Sequence, residues 1–148
     1  AAPYSNFLEA GIPVGFGSDS MASNNACDLF EEARFAALSG RANKKKFIHP
    51  KELIETATIG GARAVTADES IGTLEIGKQA DIIVVSLKEL AQTPMFDIYS
   101  ALAFTTNARD VVFTMVGGRE LYYDRQLVDI DEDEIVAKTN EIAKKLLN

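Results

Sequence analysis

A short apolar stretch that closes on two glycines and an acid, Ile12-Pro13-Val14-Gly15-Phe16-Gly17-Ser18-Asp19-Ser20, constrains this chain more than any other. Tyr4 to Ala10 reads as the end of a helix, because Gly11 follows where a left-handed C-cap is wanted. Ile12–Phe16 then reads as a strand. A second helix is expected from about Ala26 to Leu38, capped by Asn24 or Asn25, with Asp28, Glu31 and Glu32 at its positive end and Gly40 as its stop. A strand between helices is the repeating unit of an α/β fold, whose parallel partner strands lie elsewhere in sequence. Three local readings of Asp19 stand open: a turn residue, the neighbour of a phosphate loop, or part of an active site.

Gly15-x-Gly17-x-x-Ser20 imitates a dinucleotide fingerprint, but the imitation fails on electrostatics. Asp19 would meet the pyrophosphate where backbone N–H groups and a helix dipole should receive negative charge, and the third glycine is absent. A nucleophile elbow fails too, since Gly-x-Ser-x-Gly cannot be written around Ser18 or Ser20. What remains is an Asx-type turn or helix cap, or a carboxylate at the C-terminal end of a parallel strand, where α/β barrels gather their catalytic groups.

Further along, Pro50 fits the first turn of a helix whose apolar face carries Leu53, Ile54 and Ala57, interrupted by Gly60-Gly61 and resumed through Ala62 to Val65. From Ser70 the texture changes. "IGTLEIGKQADIIVVSL" suggests two extended pieces around Gly77-Lys78, with Ile82–Val85 as a strand buried on both faces. "VVFTMVGGRELYYDRQL" predicts a β-hairpin turning at Gly117-Gly118, and Met95–Phe104 between them is helical or irregular. The chain closes on an amphipathic helix with Ile135, Thr139, Ile142 and Leu146 on one face, acids at its start and Lys144-Lys145 near its end. The expected divisions are 1–69, 70–130 with an inserted helical segment, and 131–148.

A chain of 148 residues suits one domain with a real core. Fifteen Lys and Arg against 22 Asp and Glu leave a net charge of −7, which disfavours a nucleic-acid surface; the short run Lys44-Lys45-Lys46 reads as a solvated loop. No apolar run has the length of a membrane span, and the N-terminus lacks the pattern of a secretory signal. The single cysteine, Cys27, permits no intrachain disulfide, favours a reducing compartment such as the cytoplasm, and reads as packing rather than a nucleophile.

The run "GIPVGFGSDSMASNNACDLFEEARFAAL" resembles the strand-eight segment of the amidohydrolase superfamily, in its branch of metal-dependent deaminases and chlorohydrolases. "ELIETATIGGARAV" is similar to that family's helix before the return to its β domain, and "IGTLEIGKQADIIVV" to its Gly-x-Leu-x-x-Gly-Lys-x-Ala-Asp signature. "DIYSALAFTTNARDVVFTMVGGREL" resembles its closing strands. The resemblance implies the last strand and helices of a TIM-type barrel, followed by the C-terminal strands of a small β-sandwich. It implies a hydrolase that deaminates or dechlorinates a heterocyclic small molecule, with Zn²⁺ or another divalent metal such as Fe²⁺. Asp19 becomes the strand-eight aspartate, which contacts the metal and takes a proton from the attacking water. Asn24 and Asn25 become candidates for contacts around it or with substrate.

The family's metal site also needs a His-x-His pair and further histidines, whereas His49 is the only histidine here and, lying before Pro50, reads as a surface or capping residue. The expected partners are therefore the missing N-terminal part of the same chain and, through exposed edges, further copies of itself. No metal and no activity are expected of this piece alone. The rival reading is a non-catalytic structural or oligomerisation module that retains the scaffold.

Overall fold

The computed structural model describes residues 2–20, 22–44 and 47–147, and the side chains of all of these except 43 and 44; Lys45 and Lys46 of the basic run lie outside it. Helix α1, Tyr4–Glu9, ends as expected at Gly11, whose φ of 66° is left-handed. Ile12–Phe16 forms no strand ladder among the described residues. A strand is satisfied only by lateral partners for its N–H and C=O groups, and the sequence already placed those partners outside this stretch.

Helix α2, Leu29–Lys44, starts later and ends later than the sequence suggested. Cys27 sits at φ 47°, which no helix admits, so the first turn begins beyond it. Asp28, rather than Asn24 or Asn25, caps it: Asp28 Oδ1 accepts from Phe30 N at 2.9 Å and Glu31 N at 3.4 Å. Gly40 does not stop the helix. It is buried against its neighbours, where a Cβ would fall 2.7 Å from Ile48 Cδ1.

Helix α3, Pro50–Glu55, continues through a π turn, Thr56–Gly60, into α4, Gly61–Ala64. The two glycines therefore do not interrupt the helix, and Gly60 and Gly15 let it lie against the segment before Asp19. A Cβ on Gly60 would meet Val14 O at 2.8 Å, and one on Gly15 would meet Gly61 Cα at 2.8 Å, so two backbones touch where side chains would hold them apart. His49 caps α3, as its place before Pro50 suggested: its Nδ1 accepts from Lys51 N at 3.3 Å, and Glu52 Oε2 accepts from His49 N at 2.8 Å.

The core gathers Tyr4, Ala33, Ile48, Leu53 and Ala103, with Val14 and Phe16 packed on it. Leu53 is fully buried, worth about 1.5–3 kcal/mol for a side chain of its size. Ala103 belongs to α5, Ile98–Phe104, which packs on α2 and α3 although it lies between two strands in sequence. Tyr4 anchors the site side of this core. Its ring lies 5.5 Å from that of Phe16, and its hydroxyl is 2.8 Å from Thr56 Oγ1 in the π turn. Burial pushes the Tyr4 phenol above its ordinary range.

A four-stranded antiparallel sheet follows in the order β1 (Ile82–Val85), β2 (Val111–Val116), β3 (Arg119–Tyr123) and β4 (Gln126–Leu127). The hairpin at Gly117-Gly118 is present, with φ 56° and 81° as a type I′ turn requires. Of the two extended pieces expected around Gly77-Lys78, only Ile82–Val85 is a strand, and it is not buried on both faces as expected, since Ile83 and Val84 are exposed; residues 66–78 fold into successive turns, such as Ile71 N to Ala67 O at 3.0 Å. The Gly-Lys-x-Ala-Asp block locks this arrangement. Lys78 Nζ donates to Asp68 O at 2.6 Å, and Asp81 Oδ1 accepts from Gly117 N at 2.7 Å. Helix α6, Glu132–Leu146, is capped by Asp131 and amphipathic, and all its described residues lie outside the buried core. No described helix is long and apolar enough to cross a membrane.

Candidate active site

Asp19 stands where the segment Ile12–Ser18 leaves the core, exposed and in the left-handed region at φ 61°. Aspartate tolerates that region better than most residues because its short side chain bonds locally. Here Oδ1 accepts from Ser20 N at 2.8 Å. The corner turns the chain away from the packed segment and presents the carboxylate at its end. The segment below is held by the Phe16–Tyr4 contact and by the backbone approach at Gly15 and Gly61.

The loop beyond Asp19 is internally braced. Ser20 O accepts from Ser23 N at 3.0 Å and Asn24 N at 2.9 Å. Asn24 Oδ1 accepts from Ala26 N at 2.9 Å and Cys27 N at 3.1 Å, while its Nδ2 donates to Glu32 Oε1 at 2.8 Å. Asn24 thus supports the loop instead of capping the helix. Asn25 is exposed and takes no part in this network. Cys27 is half-buried, and its thiol donates to Asn24 O at 3.7 Å.

Two residues that the sequence reading had not placed at the site extend the bracing. Asp28 caps α2 through Oδ1 and accepts from Ala108 N through Oδ2 at 2.8 Å; Arg34 Nη2 donates to Thr106 O at 2.7 Å. The signal for Asp28 was in the sequence, since Asp28-x-x-Glu31 is the pattern of a helix start. Nothing in the sequence pairs it with Ala108.

Among the described residues no three His, Cys, Asp or Glu side chains come together as a metal site. A single carboxylate with one oxygen already accepting a backbone hydrogen bond fits one position in a coordination sphere, and the other ligands must come from elsewhere. His49 Nδ1 is engaged at the start of α3, where it accepts from Lys51 N.

Residues 2–121 match the model of the amidohydrolase family. The chain is 35% identical over 148 residues to a 5-methylthioadenosine/S-adenosylhomocysteine deaminase of Thermoanaerobacter pseudethanolicus, covering 99% of this chain and 34% of that protein. It is 34% identical over 148 residues to a 5′-deoxyadenosine deaminase of Methanosarcina barkeri, with the same coverage. Among solved structures it superposes on a zinc-bound adenosine deaminase of Xanthomonas campestris with a TM-score of 0.92 and 30% identity, covering 97% of this chain and 33% of that one. On an atrazine chlorohydrolase of Arthrobacter aurescens, complexed with zinc and atraton, the TM-score is 0.84 at 32% identity, covering 95% and 32% of the two chains. The chain spans about a third of the length of the curated relatives it matches. With the family model matched from residue 2 to residue 121 and relatives aligned along almost its whole length, this chain belongs to the amidohydrolase family.

Proposed function

We propose that this chain is the C-terminal portion of a metal-dependent hydrolase that deaminates an adenine nucleoside, with Asp19 as the acid–base group it contributes. The observation that carries the reading is Asp19 itself: a carboxylate fixed on a left-handed corner, within a chain aligned along 99% of its length with a deaminase of 5′-modified adenosines. In the reaction, water oxygen bonds to the ring carbon that carries the amino group, the carbon–nitrogen bond breaks, and ammonia leaves. A divalent metal would be held by Asp19 together with ligands outside these 148 residues, and would supply Lewis-acid polarisation that lowers the pKa of water toward neutrality. Asp19 accepts the proton of the attacking water and returns it to the leaving nitrogen, which requires the carboxylate to be ionised and aimed before water arrives. The left-handed corner, the Ser20 N–H and the packed segment behind it do that aiming.

A second reading, hydrolytic dechlorination of a triazine, is favoured by the fit to the atrazine chlorohydrolase, whose TM-score of 0.84 is lower than the 0.92 of the adenosine deaminase. Only the leaving group differs, chloride in place of ammonia. The test is the intact protein loaded with zinc and offered adenosine, 5′-methylthioadenosine, S-adenosylhomocysteine and atrazine, with ammonia and chloride measured. Ammonia from a nucleoside, abolished by Asp19→Asn, is the expected result. Chloride alone would favour the second reading, and an intact protein that holds no metal and turns over none of these would leave the structural-module reading in its place. The isolated chain should hold less than one zinc and should self-associate in sedimentation, because apolar groups such as Ile76 and Phe96 lie on its surface.

A further inference from the structure

We infer that Asp28 is a positioning residue for Asp19, and that through it the turn leading into the small sheet helps to set the acid–base corner. This rests on the reading of Asp19 given above. The loop between them is closed at both ends by left-handed non-glycine residues, Asp19 at φ 61° and Cys27 at φ 47°. Such residues are strained and persist only where their surroundings over-determine them. From Ser20 to Cys27 the bonds of Ser20 O, Asn24 and Glu32 form one connected set, so the corner at Asp19 and the corner at Cys27 cannot shift independently.

The set meets α2 through Glu32, and Asp28, the next residue after Cys27, ties the end of the loop to a more distant part of the chain. One oxygen satisfies the first turn of α2 and the other holds Ala108 N at 2.8 Å, 80 residues away in sequence. The segment that carries the donor is itself held in place. Thr106 is fully buried, with its carbonyl held by Arg34, and the following turn is closed by Asp110 Oδ2, which accepts from Asn107 N at 2.9 Å. Val111, the first residue of β2, follows at once. The sheet's lead-in is thus pinned at two points, to the cap of α2 through Asp28 and to α2 itself through Arg34.

Asp28→Asn separates the two jobs of this side chain. The amide keeps an oxygen for capping α2 but presents an N–H₂ to Ala108 N–H, which breaks the bridge. Asp97→Asn, the same exchange at the cap of α5, serves as a control away from the Asp19 loop. In the intact protein, amide exchange at Ala108 and across Ser20–Cys27 should accelerate on the order of tenfold in Asp28→Asn and not in Asp97→Asn. Zinc affinity, read by competition with a chelator, should fall about 10–100-fold, as for other residues that orient a ligand. Turnover should lose kcat with KM little changed. Unchanged exchange across Ser20–Cys27 overturns the inference whatever the enzyme does. Accelerated exchange with unaltered zinc affinity and kcat also overturns it, by showing that the loop's order does not matter to Asp19. If the unmutated protein binds no zinc and releases no ammonia, the functional reading falls by itself, and the exchange data still decide whether Asp28 sets the loop.

Discussion

The contact between Gly15 and Gly61 makes an asymmetric prediction. A Cβ on Gly15 falls 2.8 Å from Gly61 Cα. Carbon atoms in ordinary contact lie about 3.5–4.0 Å apart, so the two backbones must separate by at least about 0.7 Å. Both partners are main chain, so no rotamer change relieves the clash, and overpacking of this kind costs roughly 1–3 kcal/mol. On the other side of the same contact, a Cβ on Gly61 meets Thr56 O at 3.6 Å and Gly15 Cα at 3.9 Å, both ordinary distances. Gly61 has helical φ and ψ of −59° and −45°, where alanine is favoured over glycine by about 1 kcal/mol. Gly15→Ala should therefore destabilise the intact protein and lower its bound zinc, because the segment that moves ends in Asp19. Gly61→Ala should leave stability unchanged or raise it. Denaturant midpoints and zinc content of the two variants check this. Equal losses in both, or none in Gly15→Ala, would refute the reasoning from contact distance.

Three further outcomes follow from capping and turn chemistry. His49→Ala should cost about 1 kcal/mol through loss of the α3 cap, and His49→Asp should restore most of it, as read by thermal unfolding. The Ser100 hydroxyl and, next, its backbone N–H hold the Asp97 carboxyl below the usual carboxylate range. A depressed folded-state pKa contributes stability above about pH 4 that is lost as pH falls further, so the stability difference between the unmutated protein and Asp97→Asn should shrink through that acidic window. Arg125→Gly should stabilise by about 0.5–1 kcal/mol in denaturant unfolding, since Arg125 holds φ 68° in the turn between β3 and β4 without a glycine's freedom.

Local signals were read well where one residue type has one physical use. Gly117-Gly118 marked a hairpin, Gly11 a helix end, and the place of His49 before Pro50 a cap. Reading failed where glycine serves packing between elements. Gly40 and Gly60-Gly61 looked like breaks, yet the helices run through them, and Gly40 and Gly60 are small because Ile48 and the Val14 carbonyl press against them, a fact that no local pattern encodes. Asp19 was read as a carboxylate at the end of a strand or as a turn residue, and it stands on a left-handed corner after a segment that forms no ladder among the described residues. The bracing behind it was not legible, because Asp28 to Ala108 and Arg34 to Thr106 join residues 80 and 72 positions apart. The missing ladder at Ile12–Phe16 has the same origin: a strand's partners are a property of the fold rather than of the strand.

The placement of α5 bears on how such a chain can be recombined. The helix is encoded between β1 and β2 but packs on α2 and α3, and its Ala103 fills their core. A chimera that exchanges everything after residue 70 for the same region of a relative would replace a wall of the helical layer along with the sheet. Swaps at this boundary should therefore succeed only when the incoming α5 matches the shape left by Ala33, Ile48 and Leu53, which makes the two parts one unit of inheritance.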